Sequence, residues 1–257
     1  MKASMASTRS GDCLIAVAAV ETNATMLPPL TEIRLHETHR LIPSRYPPIG
    51  ILDAVAAPED LELMFALEGW TNDRISAEVG LIHTIAKDEW VIGKPQATVI
   101  MAAFCHPKPG GGRFNGENRG AWYAAFDLDT AHAEAIYHRT KELVEIGVLE
   151  TRLEMREYVA DFNSSFHDVR GVDKAFTLYH DPNSYTASQA LARQLLDARS
   201  NGVLYRSVRR PGGQCIACFR PKLVTNVRPS AHFEFRWEGR REPIVTRLGP
   251  ESSREVG

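Results

Sequence analysis

Cysteine is scarce, at four in 257 residues. That is too few for a disulfide framework, so a reducing compartment, the cytoplasm, is the expected setting. An excess of one charge is also missing. Lys and Arg number 30 against 32 Asp and Glu, a formal net charge of −2 that excludes a chain-wide polycation laid on nucleic acid. No apolar run approaches the length of a membrane span. The longest near the start, Leu14 to Val20, falls far short of the roughly twenty residues a bilayer requires. It follows Lys2 and Arg9 as a signal peptide would, but Asp12 interrupts the approach and no small-x-small cleavage site follows. Met26 opens a more ordinary beginning. Repeats and low-complexity linkers are absent too. With 44% hydrophobic and 24% charged residues, disordered and collagen-like classes fall away and a sizeable core is affordable.

What is present is a mixture of short strands and helices. Arg40-Leu-Ile-Pro-Ser-Arg45-Tyr46-Pro-Pro48 reads as an extended strand broken by its prolines. A helix is expected from Pro58 to Gly69, and a second from a cap at Thr71 or Asn72 through Ile82. Ala97 to Phe104, short, apolar and partly β-branched, reads as a buried strand. A loop, His106 to Gly116, leads into a strand at Ala121 to Phe126. Asp127 to Thr130 then cap a long helix ending near Ile146. Strands are expected at Thr151 to Phe162, Gly202 to Arg206, Cys215 to Phe219 and Phe233 to Trp237, and a helix from Ser184 to Arg199. Without a regular βαβ rhythm, α+β is the expected class. Residues 1–35 are expected to be a poorly ordered extension, and 36–257 a single domain.

Several segments carry chemistry. In the loop, Gly110-Gly-Gly-Arg113-Phe114-Asn115 combines close backbone approach with a guanidinium suited to phosphate. It lacks the Lys-Ser/Thr of a P-loop, and Asn115 stands where a dinucleotide fingerprint needs glycine. A surface turn fits the loop as well. Glu134 falls in the first turns of a helix, near the positive dipole end, and pairs equally well with His138 at i+4. His132-Ala-Glu134 with Cys215-Ile-Ala-Cys218 suggests a zinc deaminase set. On a strand, however, cysteines three apart face opposite sides. Tyr205-Arg-Ser207-Val-Arg209-Arg210 places a serine among arginines before a Gly-Gly turn, fit for a phosphate pocket or a solvated hairpin end.

In order, these pieces are more specific than any one alone. Gly111-Gly-Arg113-Phe114-Asn115, Trp122-Tyr123-Ala-Ala, Ala131-x-x-Glu134 and Asn201-Gly-Val-Leu-Tyr-Arg-Ser207 together resemble the RES domain family, from about residue 38 to 240. The strand at Arg40 and Ser207-Val-Arg-x-Pro-Gly-Gly213 resemble its longer members. Phe114 stands where many members have Trp. The resemblance implies an ADP-ribosyltransferase-like fold. It also implies the toxin of a bacterial toxin–antitoxin pair that consumes NAD by phosphorolysis or hydrolysis, or transfers ADP-ribose to protein. It makes NAD and inorganic phosphate substrates, with no prosthetic group and no metal. An Xre-like antitoxin becomes the expected partner, with no direct nucleic-acid or membrane binding and a homo-oligomer allowed.

The site implied is Arg113, Tyr123, Glu134 and Ser207, with Arg45, Tyr46, Phe114, Asn115 and Arg209 as further NAD contacts. Cleaving the nicotinamide bond develops positive charge at the anomeric carbon. A fixed carboxylate stabilises that charge, the role expected of Glu134. Arg113 would hold a phosphate, Tyr123 would place nicotinamide or its ribose, and Ser207 would be a polar contact. A zinc deaminase and a silent nucleotide-binding module are the alternatives from other classes.

Overall fold

In the computed structural model, which describes residues 27–45, 50–54, 57–64 and 80–249, the alternating segments become strands of one mixed sheet. They are β1 (Leu30–Pro43), β2 (Trp122–Ala125), β3 (Glu150–Asp168), β4 (Gly202–Arg206), β5 (Gln214–Cys218), β6 (Thr225–Glu238) and β7 (Ile244–Leu248). Their order is β1-β2-β5-β4-β3-β6-β7, and β1 also pairs with β3. Five strands therefore close into a ring, with β6 and β7 continuing outward from β3. Among the described pairings only β3 with β4 is parallel. The helices are α1 (Ile51–Ala54), α2 (Pro58–Met64), α3 (Ala97–Cys105), α4 (Leu128–Glu145), α5 (Lys174–Thr177) and α6 (Thr186–Asp197). The class is α+β, as the sequence led one to expect.

The expected strand at Ala97 to Phe104 is instead helix α3. Seven of its nine residues are buried, so its apolar positions surround the axis and no helical period survives in the sequence. Its cap is also non-local: Asp53 Oδ1 accepts the Thr98 N–H at 2.8 Å. Residues 30–35, assigned to an N-terminal extension, are the first half of β1. They pair residue for residue with 162–167 of β3. The sequence indicated only Thr151 to Phe162, the first part of β3, and Phe233 to Trp237, the last part of β6, and missed β7. Helix α2 occupies the described part of the segment expected to run to Gly69. The helix expected from Thr71 or Asn72 falls mostly outside the described residues, and its expected end, Ile82–Thr84, is a 3-10 turn. Helix α6 has Tyr185 at its N-cap, while Ser184 Oγ still accepts the Thr186 N–H at 3.3 Å. The expected β4–β5 pair forms, with Tyr205 opposite Cys215.

Alternation along the strands sorts the core into layers. One layer gathers Trp122, Leu204, Ile216 and Cys218 with Phe104, Ile100 and Met101 of α3. On the opposite face Phe114, Val203, Tyr205, Cys215 and Ala217 pack with Leu191 and Leu195 of α6. A third group, Met155, Phe233, Phe235 and Trp237, lies beneath Leu143 of α4. The second layer is the floor on which the candidate site rests.

Candidate functional site

Helix α4 supplies the carboxylate. Asp127 caps it, accepting the Thr130 N–H at 2.8 Å. Because the helix begins at Leu128, Glu134 lies nearly two turns in. The dipole acts over the first turn only, so the reading of Glu134 as a dipole-held carboxylate gives way to side-chain contacts. Ser207, in the turn after β4, donates its hydroxyl proton to Glu134 Oε1 at 2.6 Å. The same oxygen of Ser207 accepts the N–H groups of Arg209 and Arg210, both at 3.1 Å. The serine is thus a connector between the turn and the carboxylate. Gly213 closes the turn, its carbonyl accepting the Ser207 N–H at 2.9 Å. A Cβ on Gly213 would stand 2.6 Å from Thr130 Oγ1, so only glycine lets the turn approach α4 this closely.

Burial pushes the Glu134 carboxyl above the usual carboxylate range, and the Ser207 hydrogen bond and the charges of Arg209 and Arg113 only partly oppose this. The pairing with His138 expected from the i+4 spacing is not an ion pair. Their nearest atoms are 3.9 Å apart, and burial, then the cations Lys108, Arg209 and Arg139, holds the imidazole down at about 4. Glu134 Oε2 therefore stays available.

The Gly-rich loop brings in Arg113. Gln189 of α6 donates to the carbonyls of Gly110 and Gly112 at 2.8 and 3.0 Å, and Gly112 N–H bonds Asn115 O at 3.0 Å. Gly111 has a φ of +75, with Asn115 O 2.2 Å from where a Cβ would be. Arg113 Nη1 donates to Tyr179 O and Asp181 O, at 3.0 and 2.8 Å, and the guanidinium lies 4.7 Å over the Tyr185 ring. Neutral carbonyls and a ring face hold it, so its charge is not cancelled. Among the described residues Nη2 and Nε carry no hydrogen bond.

The remaining expected contacts divide. Arg209 stands 3.3 Å over the ring of Tyr137, donates Nη2 to Pro182 O at 2.8 Å, and keeps a buried Nε with no partner. Tyr123 has its hydroxyl engaged on both sides, accepting the Phe114 N–H and donating to Asn115 Oδ1, each at 2.8 Å. Asn115 spends its amide nitrogen on Gly116 O and Arg119 O. Phe114 is fully buried, its ring 4.9 Å from that of Tyr205. Phe114 and Asn115 thus lie in the packing under the loop and not on its open side. Arg45 is in the turn after β1, and Tyr46 is outside the described residues.

Sequence reading assigned no role to Tyr137, Tyr185, Gln189 or Arg40. Arg40 reaches Tyr123 O at 3.0 Å and lies 4.9 Å over the Trp122 ring, and burial lowers its guanidinium to about 10. The only signal was its place in the strand resembling the longer members. The deaminase set is not assembled. His132 packs edge-on against Phe233, Cys215 and Cys218 lie in opposite core layers, and among the described residues no cluster could hold a metal ion. No helix among the described residues is long and apolar enough to cross a membrane.

Comparisons with known proteins bear on this arrangement. The chain is 27% identical over 215 residues to the uncharacterized protein y4oC of Sinorhizobium fredii (strain NBRC 101917 / NGR234), covering 81% of this chain and 86% of that protein. A chain in the crystal structure of the M. tuberculosis MbcT–MbcA toxin–antitoxin complex is similar at 13% identity. That match has a TM-score of 0.35 and covers 49% of this chain and 72% of that one. The RES domain family model matches residues 81–238, the span that holds Arg113, Tyr123, Glu134, Ser207 and Arg209. The chain belongs to the RES domain family.

Proposed function

We propose that this chain degrades NAD by cleaving the nicotinamide–ribose bond, with inorganic phosphate as acceptor, to give nicotinamide and ADP-ribose-1''-phosphate. The observation that carries the reading is the Glu134–Ser207 hydrogen bond at 2.6 Å, near two arginines that form no ion pair among the described residues. Family membership supports NAD as the substrate class. As the bond lengthens, its electron pair leaves with nicotinamide, which departs neutral, and the ribose carbon becomes oxocarbenium-like. Ionised Glu134, one oxygen fixed by Ser207, turns Oε2 toward the ribose and offsets that charge. A phosphate oxygen then bonds the same carbon. Arg113 and Arg209 suit the pyrophosphate of NAD or the incoming phosphate through their unused N–H groups. Tyr123 contributes its ring face, its hydroxyl being committed to the loop.

Family membership also supports a role as the toxin of a toxin–antitoxin pair, with an Xre-like antitoxin covering this site in the cytoplasm. The test is nicotinamide release from NAD, followed by proton and phosphorus NMR, with and without phosphate. A phosphate-dependent sugar phosphate signal, absent with Glu134→Gln, is expected. Release that needs no phosphate would replace phosphorolysis with hydrolysis. Release unaffected by Glu134→Gln would remove the carboxylate from the mechanism.

A further inference from the structure

Alternation along β4 sends Tyr205 toward the candidate site and Arg206 to the other face of the sheet. There Arg206 stands opposite Gln214 of β5, and the two line a groove of about 370 Å³ with Asp168, Arg170, Gly171 and Gly212. Its charges do not cancel. Arg170 is matched by Asp168, to which it donates Nε at 2.9 Å and Nη2 at 2.6 Å. Asp168 also accepts the Arg170 N–H and the Thr31 hydroxyl, at 2.9 and 3.1 Å, so its oxygens are occupied. Gln214 Oε1 accepts Arg170 Nη1, which turns the amide nitrogen outward. Arg206, half-buried, has its backbone N–H held by His180 Nε2 at 3.1 Å, while its guanidinium has no partner among the described residues. A half-buried cation without a counter-charge is unfavourable. The groove therefore offers donors and one unmatched positive charge, with its acceptors used up.

We infer that this groove is an oxyanion site, separate from the Glu134 site, that takes a phosphate group on Arg206 and Gln214. A guanidinium fork beside an amide N–H₂ suits a tetrahedral oxyanion. Two glycines among the lining residues keep the approach open. The volume lies at the small end of ligand sites, roughly 300–1,000 Å³, and accommodates either free phosphate or a small phosphomonoester. Phosphate at this site is not the acceptor of the proposed reaction, because the sheet lies between.

The test is calorimetric titration of the full chain with inorganic phosphate and, separately, AMP, at ionic strength balanced with chloride. The proteins are wild type, Arg206→Gln, Arg206→Lys and Arg113→Gln, and crystals soaked in selenate locate the anion by anomalous scattering. The expected result is a binding event weakened at least tenfold in Arg206→Gln, partly kept in Arg206→Lys and intact in Arg113→Gln. A selenate peak beside Arg206 and Gln214 should accompany it. Tighter AMP binding would identify a phosphomonoester as the source, and equal binding free phosphate. Equal affinity in wild type and Arg206→Gln, loss in Arg113→Gln, or selenate peaks confined to the Glu134 site would overturn the inference. Nicotinamide release unaffected by Arg113→Gln, with the Arg206-dependent binding intact, would count against the proposed function alone.

Discussion

Tyr123→Phe removes one oxygen atom and tests whether that hydroxyl serves the fold or the substrate. In the structure it satisfies the buried Phe114 N–H and Asn115 Oδ1, both at 2.8 Å, and these hold the Gly-rich loop over β2. Deletion leaves a donor and an acceptor unpaired. Each such orphan costs about 1–3 kcal/mol, so the pair costs about 2–6 kcal/mol. In a domain of this size, 1 kcal/mol moves Tm by about 2–4 °C, so a fall of roughly 4–24 °C is expected by scanning calorimetry. The effect should overlap with Asn115→Ala, because both variants break the same Tyr123–Asn115 bond. The double variant should be less destabilised than the sum by about 1 kcal/mol. Activity should fall because Arg113 rides on the loop, and added NAD should recover part of it by favouring the closed loop. An unchanged Tm with activity abolished would refute the loop-pinning argument and return the hydroxyl to the substrate.

Glu134→Gln should abolish nicotinamide release while leaving Tm unchanged or raised. A carboxyl whose folded pKa is raised stabilises the fold only below its unfolded pKa and loses that stabilisation as pH rises through the folded value, so the ionised form is a liability at neutral pH. The acid limb of the pH–rate profile should lie above 4.5, the ordinary glutamate value, and Ser207→Ala should move it higher by deleting a hydrogen bond that lowers it. Thiol titration of the native protein should leave Cys105 and Cys218 unreacted at neutral pH, since burial pushes both up to about 12; reaction before unfolding would contradict their packing. Gly111→Ala should destabilise the chain by more than about 1 kcal/mol in urea titration, because a positive φ and a backbone clash coincide there.

The segments that meet at the candidate site were legible in the sequence further than the bounds of the fold's elements were. Arg113, Glu134, Ser207 and Arg209 are brought together as their order suggested, since each sits in a segment with local punctuation: the glycines, the Asp127 cap and the Pro-Gly-Gly turn. Phe114 and Asn115 were misplaced because a motif reports which residues occur together and not which side of a loop each faces. Helix α3 was misread because burial on every side erases periodicity and its cap comes from Asp53. The residues that brace the site, Gln189, Tyr185 and the carbonyls of Tyr179 and Asp181, come from a helix and a turn with no chemical signature. Their contacts with the loop span 66 to 79 residues of chain, so no local pattern could have revealed them.

The ring of five strands also sets a timetable for synthesis. The Thr38–Ala160 bond between β1 and β3 bridges 122 residues of sequence, and the Glu134–Ser207 bond bridges 73. Contacts this distant make the loop-closure entropy large before any of it is offset, a topology that folds slowly. The first strand must wait on the ribosome for its partner, and the carboxylate for its serine. The growing chain therefore cannot join Glu134 to Ser207 until β4 and the turn after it have been translated, an interval set by topology alone.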